Sequence, residues 1–201
     1  MTANASKQLA RGAPVGHTAL IIMDMISCWD FPDADKLQRF ARRITHCIAR
    51  LAGRCRRSDV PVIYANDNRG RWRSDFPKLV DLSLQCGGAA AEITRTLAPA
   101  DDDYFVLKPM HSAFYGTPLH LLLTHLNVQR LIITGVSSDQ CVMTTVAEAR
   151  MRTLDVVVPR DCVASQSTRC NEVALRQFAD VHRIATTPSA RLRLLHRPAN
   201  D

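Results

Sequence analysis

Short apolar runs alternate along this chain with patterns that are typical of amphipathic helices. The runs are Ala19–Asp24, Val60–Asn66, Tyr104–Lys108, Arg130–Thr134 and Leu154–Val158, with a shorter one at Arg183–Thr186. Strands that are apolar throughout are buried on both faces, and strands separated by helices pair in a parallel sheet with helices on both sides. The sequence therefore predicts one three-layer α/β domain with a parallel sheet of about six strands.

The segments between the runs carry helical spacing. Between the first and second runs, apolar residues recur at three- and four-residue intervals on one helix face: Leu37, Phe40, Ala41, Ile44, Ile48, Leu51 and Ala52. Further helices are predicted after Thr117–Pro118, through Val142–Ala149 and at Asn171–Val181. We expect residues 1–18 to be a flexible tail, residues 19–187 the domain, and residues 188–201 a basic tail.

Composition narrows the class of protein. The net charge is +7, but aromatic residues make up only 5% and no nucleic-acid motif accompanies the arginines, so a solvated basic helix face is favoured over a nucleic-acid surface. No apolar run approaches the roughly 20 residues that cross a bilayer, and the first residues have no apolar core typical of a signal peptide. We expect a cytoplasmic protein that binds neither nucleic acid nor membrane.

Cysteine usage leads to a separate expectation. The chain has seven cysteines, an odd number, and no two of them form a C-x-x-C pair. This pattern argues against a disulfide framework and against a structural zinc site. We expect the thiols to be free.

Three residues with complementary chemistry lie at or after the ends of predicted strands. Asp24 ends the first run, Lys108 ends the third, and Cys141 follows the fourth near the start of a helix that Ser138 or Asp139 would cap. Ligands bind outside the carboxyl ends of parallel strands. A helix N-terminus is expected to lower the pKa of Cys141, Asp24 can carry a proton, and Lys108 can keep Asp24 ionised.

Each of these residues also has an ordinary structural interpretation. A carboxylate at a strand end is often a turn cap, a lone lysine is usually a surface charge, and a cysteine at a helix start is often buried filler. The coincidence of all three at one predicted sheet edge favours a nucleophilic thiol.

The segments around these residues resemble a known family. "ALIIMDM", "VLKPMHSAFYGTPLHLLL" and "RLIITGVSSDQCVMTTVAEA" are similar to isochorismatase-like cysteine hydrolases, which include nicotinamidases and N-carbamoylsarcosine amidohydrolases. The resemblance implies that Asp24, Lys108 and Cys141 form a catalytic triad. It also implies a cis peptide at Val136–Ser137 and an oxyanion hole made by the backbone N–H groups of Ser137 and Cys141.

One departure from the family pattern bears on cofactors. Metal-binding nicotinamidases are expected to carry histidines after the second strand, whereas this chain has "NDNRGRW" from Asn66 to Trp72. We therefore expect no metal and no other cofactor, and the complete trio favours hydrolysis of a small amide or ureide through a thioester. The alternatives are vinyl-ether hydrolysis of an isochorismate-like substrate and a catalytically silent scaffold.

Candidate substrate contacts follow the first three strands. They are Trp29 and Phe31 after the first, Asn68 and Trp72 after the second, and Phe114 and Tyr115 after the third. For each aromatic residue, packing in the core or between subunits is the competing interpretation.

The family resemblance and the composition of one segment after the second strand both predict a homo-oligomer, either a dimer or a tetramer. "NRGRWRSDFPKLV" mixes aromatic residues with arginines, the types that are enriched in interface cores.

Light scattering at micromolar concentration should give a multiple of 22.4 kDa, and Trp72→Ala should weaken assembly. A monomer mass for the unaltered chain would refute the prediction.

Overall fold

The computed structural model describes residues 17–68, 72 and 75–194. The predicted tails lie partly outside these residues, at 1–16 and 195–201. Six parallel strands form one sheet in the order β3-β2-β1-β4-β5, with β6 also paired to β4. They are β1 (His17–Met23), β2 (Val62–Asp67), β3 (Tyr104–Lys108), β4 (Val128–Val136), β5 (Asp155–Val157) and β6 (Val163–Ala164). The predicted sheet is confirmed.

The sixth strand is not where the sequence predicted it. β4 is long enough to share its outer edge, pairing with β5 at Arg130–Ile132 and with β6 at Gly135–Val136. The predicted run Arg183–Thr186 makes only an isolated bridge, between Val157 and Ala185. Two residues suffice for β6, and so short a segment carries no periodicity by which a sequence could reveal it.

Helices cover both faces of the sheet. They are α1 (Ala34–Arg56), α2 (Phe76–Gln85), α3 (Gly88–Thr96), α4 (Leu119–His125), α5 (Met143–Met151) and α6 (Thr168–Arg176). A π-helical turn, Ser138–Val142, precedes α5, another, Gln177–Val181, follows α6, and Ser189–Arg191 form a 3₁₀ turn. In the described part of the chain, no helix has the length and apolar character to cross a bilayer.

Strand alternation divides the core into two layers. Leu20 and Ile22 of β1 pack with α1, α2 and α3 on one face, whereas Ile21 and Met23 pack with α4, α5 and α6 on the other. The sequence predicted α1 and α5 from their apolar spacing, but it did not predict α2 or α3. Every side chain of β1 except that of His17 is buried, which explains why this strand carries no polar alternation.

The first part of the predicted basic tail packs against the domain. Arg54 of α1 donates hydrogen bonds to the carbonyl oxygens of Ser189, at 2.7 Å, and Leu192, at 2.8 Å. Leu192 is buried in the core layer on the α1 face. Part of the charge on α1 therefore anchors the segment from Ser189 to Leu192. Arg56, also on α1, is paired with Asp103 at 2.6 Å.

One expectation about the cysteines was wrong. A disulfide joins Cys28, which follows β1, to Cys86, which follows α2. The two residues are 58 positions apart in the sequence, so their proximity depends on how α2 packs against the β1–α1 loop. Cys47, Cys55, Cys141, Cys162 and Cys170 are free.

Gly135 allows β4 to pass unusually close to β1 at the end that carries Asp24. Its φ is +101°, and a Cβ atom built on it would lie 2.1 Å from the carbonyl oxygen of Met23. Backbone atoms cannot move aside as a flexible side chain can. Only glycine fits here without shifting β1 or β4.

Gly135→Ala should therefore destabilise the fold, whereas the same substitution at Gly53 should not. Overpacking and the positive φ together predict a loss of about 2–5 kcal/mol in the free energy of unfolding. At Gly53, inside α1, the new methyl would meet only the Arg57 side chain, at 3.4 Å, and helix propensity predicts a gain of about 0.5–1 kcal/mol. Urea denaturation of both variants measures the difference, and equal stability would contradict the close packing of β1 and β4.

Candidate active site

The structure brings Asp24, Lys108 and Cys141 together at the carboxyl end of the sheet. Asp24 directly follows β1, Lys108 is the last residue of β3, and Cys141 lies in the π-helical turn after β4. Lys108 Nζ is 2.9 Å from Asp24 Oδ2 and 3.6 Å from Cys141 Sγ. Lys108 is thus the contact that joins the carboxylate to the thiol.

The backbone around Asp24 fixes the direction of its carboxylate. Asp24 adopts a left-handed conformation with φ of 52°, which aspartate tolerates better than most residues. Its N–H donates to the carbonyl oxygen of Ala65 at 3.0 Å, and Asp67 donates its N–H to Asp24 Oδ1 at 2.9 Å. One carboxylate oxygen is therefore held by β2, and the other faces Lys108.

Lys108 is a buried cation. Its side chain has no exposed surface, and its ammonium also donates to the carbonyl oxygen of Met110 at 3.3 Å. Burial opposes the charged form, but the negative charge of Asp24 and the Cys141 sulfur more than offset it, so the pKa of Lys108 is raised. The side chain remains an ammonium at neutral pH.

Cys141 is a thiol with a high pKa. Burial, and after it the negative charge of Asp24, raise the pKa of Cys141 to about 12, and Lys108 only partly opposes them. The sequence-based expectation of a lowered pKa was wrong. Cys141 lies inside the π-helical turn that runs directly into α5 at Met143, and any effect of this helix start is outweighed by burial and by the charge of Asp24.

The turn after β4 is held by hydroxyl groups that converge on Asp139. The hydroxyl of Ser137 hydrogen-bonds to the carboxylate of Asp139, and Ser165 Oγ donates to the same carboxylate oxygen at 2.6 Å. Asp139 therefore stabilises the turn. The N-cap of the turn is Ser137 and it makes no side-chain cap hydrogen bond, whereas the sequence predicted a cap at Ser138 or Asp139. The Val136–Ser137 peptide is cis. Ser165 follows β6, a strand that the sequence did not reveal.

A cavity of about 400 Å³ lies over this cluster. Its polar floor includes Asp24 and Cys141, and its walls are largely apolar. The lining residues are Asp24, Ile26, Ser27, Trp29, Phe31, Leu37, Asn66, Asp67, His111, Val136, Ser137, Gln140 and Cys141. The volume lies within the range of small-molecule sites.

The predicted substrate contacts divide into two groups. Trp29 and Phe31 line the cavity, with their ring centroids 6.2 Å apart. Asn68, Trp72, Phe114 and Tyr115 are not among the described residues that line it.

Each residue of the second group has another position. Asn68 is buried and donates its N–H to the carbonyl oxygen of Lys108 at 2.9 Å. Phe114 packs in the core with the guanidinium of Arg152 over its ring at 4.7 Å. Trp72 is 80% exposed and Tyr115 is 61% exposed. Within this chain, Phe114 is a packing residue, as the competing interpretation held.

The sequence did not single out Asn66 and gave His111 no role. Asn66 is buried and donates from Nδ2 to the carbonyl oxygen of Ile26 at 2.8 Å. His111 Nδ1 lies 3.5 Å from Cys141 Sγ. His111 lies three positions after Lys108, and this short separation was the one available signal. No three His, Cys, Asp or Glu side chains of residues 17–68, 72 and 75–194 converge as metal ligands.

Comparison with known proteins places the chain in a family. The sequence model of the Isochorismatase domain matches residues 18–189. The chain belongs to the isochorismatase family.

Two individual relatives match most of this chain in sequence. The chain is 39% identical over 164 residues to the isochorismatase family protein YaaI of Bacillus subtilis, covering 81% of this chain and 89% of that one. It is 29% identical over 160 residues to an N-carbamoylsarcosine amidase of Arthrobacter sp, covering 74% of this chain and 60% of that one. The match to YaaI therefore spans most of the length of both chains.

Solved structures show the same fold at lower identity. The nicotinamidase SaPncA from Staphylococcus aureus superimposes with a TM-score of 0.67 at 22% identity, covering 86% of this chain and 98% of that one. The N-carbamoylsarcosine amidase from Thermoplasma acidophilum gives 0.65 at 24% identity, covering 88% and 99%. The isochorismatase-family α/β fold is thus shown by sequence and by structure.

The raised pKa of Cys141 predicts opposite effects of two substitutions on its alkylation. Asp24→Asn removes a negative charge that disfavours the thiolate, so iodoacetamide should modify Cys141 about tenfold faster at pH 8. Lys108→Met removes a cation that favours the thiolate, so modification should become slower. Peptide mapping by mass spectrometry separates Cys141 from the other thiols, and slower alkylation of Asp24→Asn would contradict this account of the pKa.

Proposed function

We propose that this chain is a cysteine hydrolase that cleaves the C–N bond of a small amide or ureide through a thioester. The observation that carries the proposal is the position of Lys108 Nζ, in contact with both Asp24 Oδ2 and Cys141 Sγ, beside a cavity of a size that suits a small molecule. Asp24 is the base, Cys141 the nucleophile and Lys108 the cation between them.

The high pKa of the thiol decides how the first step proceeds. With a pKa of about 12, Cys141 is almost wholly protonated at neutral pH, so a preformed thiolate is not the reactant. The thiol proton instead passes to Asp24 as the sulfur attacks the carbonyl carbon. The C–S bond forms, the C–N bond breaks, and Asp24 gives the proton to the departing nitrogen. The products are a thioester on Cys141 and a free amine or ammonia.

The developing oxyanion needs hydrogen-bond donors on the same side of the cavity. Ser137 and Cys141 both line it, and the proposal assigns their backbone N–H groups to that role. One such donor is typically worth about 2.7–4 kcal/mol in the transition state. The Asp139 carboxylate holds the hydroxyls of Ser137 and Ser165 and so keeps this turn in place.

The walls of the cavity favour a small substrate with an apolar part. Ile26, Trp29, Phe31 and Leu37 contribute apolar surface beside Cys141. Related proteins named as a nicotinamidase and as N-carbamoylsarcosine amidases make small amides and ureides the class to assay first.

Cys141→Ala should abolish turnover and leave the fold intact. Loss of the nucleophile should reduce ammonia release from amides and ureides by at least about a thousandfold, because triad members are typically worth that much. The wild-type chain and Cys141→Ala should be assayed side by side on a panel that includes a vinyl ether. An amide turned over at the wild-type rate by Cys141→Ala would refute the covalent mechanism, and activity on the vinyl ether alone would favour the alternative chemistry.

A further inference from the structure

A disulfide lies beside the wall of the cavity. Cys28 is bonded to Cys86, and the two residues next to Cys28 in the sequence, Ser27 and Trp29, both line the cavity. Cys86 directly follows α2 and is exposed, whereas Trp29 is buried. The bond therefore connects a surface position that dissolved thiols can reach to the part of the wall that Trp29 forms. Neither cysteine has a part in the proposed chemistry of Cys141.

Helix α2 is a fixed support for this bond. At its start, the ring of Phe76 packs against the rings of Tyr64 on β2 and Phe105 on β3, with centroids 5.4 Å and 5.1 Å apart. Near its end, Ser83 Oγ lies 2.6 Å from Thr94 Oγ1 of α3. Because the sheet and α3 hold both ends of α2, breaking the disulfide releases the β1–α1 loop rather than the helix.

The start of the β1–α1 loop is held by contacts that do not involve the disulfide. Asp24 is hydrogen-bonded to β2 through its N–H and its carboxylate. The carbonyl oxygen of Ile26 accepts from Asn66 Nδ2 at 2.8 Å, and that of Ser27 accepts from Ser83 Oγ at 2.8 Å. Reduction therefore leaves the catalytic carboxylate in place, and its effect begins after Ser27.

Trp29 adopts a conformation that its surroundings must hold. Its φ is 57°, in the left-handed region that is unfavourable for a bulky side chain and persists only where the surroundings impose it. Its indole N–H is buried and has no hydrogen-bond partner among the described residues, and a buried donor of this kind is destabilising relative to one in water. The packed position of Trp29 therefore depends on apolar contacts and on the fixed position of Cys28.

We propose that the Cys28–Cys86 disulfide is a redox switch that sets the affinity of the cavity for its substrate, an inference that rests on the proposed function in taking this cavity as the substrate site. With the disulfide formed, Trp29 is held in the cavity wall. With the disulfide reduced, Cys28 is released from α2, and Trp29 gains backbone conformations of negative φ in which its indole N–H meets water. The wall loses apolar surface and the substrate binds more weakly, whereas the three catalytic side chains keep their geometry.

The switch is a two-electron exchange with a small thiol such as glutathione. The thiolate attacks the sulfur of Cys86, the exposed partner, the S–S bond breaks, and the sulfur of Cys28 leaves and takes up a proton. A second small thiol attacks the mixed disulfide on Cys86, which becomes a thiol, and the two small thiols leave as their own disulfide. The same steps in reverse, with that small disulfide as the oxidant, restore the bond. In reducing compartments, disulfides are usually transient, catalytic or redox-sensing.

Tryptophan fluorescence tests the movement without any substrate. The chain has two tryptophans, so Trp72→Phe leaves Trp29 as the sole emitter. Reduction with dithiothreitol should shift its emission to longer wavelength and increase its quenching by acrylamide, because the indole moves into water. Adding Cys86→Ser should give the shifted emission with and without dithiothreitol. Unchanged emission in a chain whose disulfide is shown by peptide mapping to be reduced would refute the switch.

Acylation of Cys141 by p-nitrophenyl acetate tests the affinity, with the reductant removed before the ester is added. Reduction should raise the half-saturating ester concentration about tenfold, the scale of a lost apolar contact in a pocket, and leave the maximal rate within about twofold. Cys86→Ser should show the raised concentration whether or not it has been treated with dithiothreitol. Cys170→Ser, which removes an exposed free cysteine on α6, should respond to reduction as the unaltered chain does.

The outcomes distinguish this proposal from the one on which it rests. If the ester never acylates Cys141, the proposed function fails, and the fluorescence of Trp29 alone decides whether reduction opens the wall. If Cys141 is acylated with the same half-saturating concentration before and after reduction, the thiol chemistry stands and the switch is refuted. A fall in the maximal rate alone would also refute it, because the disulfide would then act on the catalytic side chains and not on the wall.

Discussion

The ammonium of Lys108 is the charge around which the site is arranged. Removing a cation from water is costly unless it is paired and hydrogen-bonded, and the side chain of Lys108 has no exposed surface. Asp24, the carbonyl oxygen of Met110 and the sulfur of Cys141 surround it. Asp24 follows β1, Met110 follows β3 and Cys141 follows β4. The site is therefore assembled when the carboxyl ends of these three strands come together in the sheet.

The strand order explains how Lys108 reaches a carboxylate two strands away. β2 lies between β1 and β3, and Asp67 at its end is in register with Lys108. The lysine side chain is long enough to cross the end of β2, while the N–H of Asp67 holds the other oxygen of Asp24. Gly135 completes the arrangement, because it lets β4 lie close to β1 and so brings Cys141 alongside.

The sequence predicted those parts of the site that depend only on residues close together in the chain. Buried strands have to be apolar throughout, so β1, β3 and β4 could be read from their runs, and the residues that follow them could be placed at one edge. The pKa of Cys141 could not be predicted in this way, because its direction depends on burial and on the distance to Asp24. The disulfide between Cys28 and Cys86 and the contact of His111 with Cys141 likewise depend on tertiary packing.

The contacts of Lys108 also give a reason for keeping the nucleophile protonated. With Lys108 charged, Asp24 ionised and Cys141 a neutral thiol, the three side chains carry no net charge. In the proposed acylation step, the proton moves from sulfur to Asp24 as negative charge moves onto the substrate oxygen, so the total charge in the buried site does not change. A free thiolate beside Asp24 would add an uncompensated negative charge in a region of low dielectric. The high thiol pKa and the need for a base at Asp24 thus follow from one constraint: among the described residues, Lys108 is the one buried cation in contact with both groups.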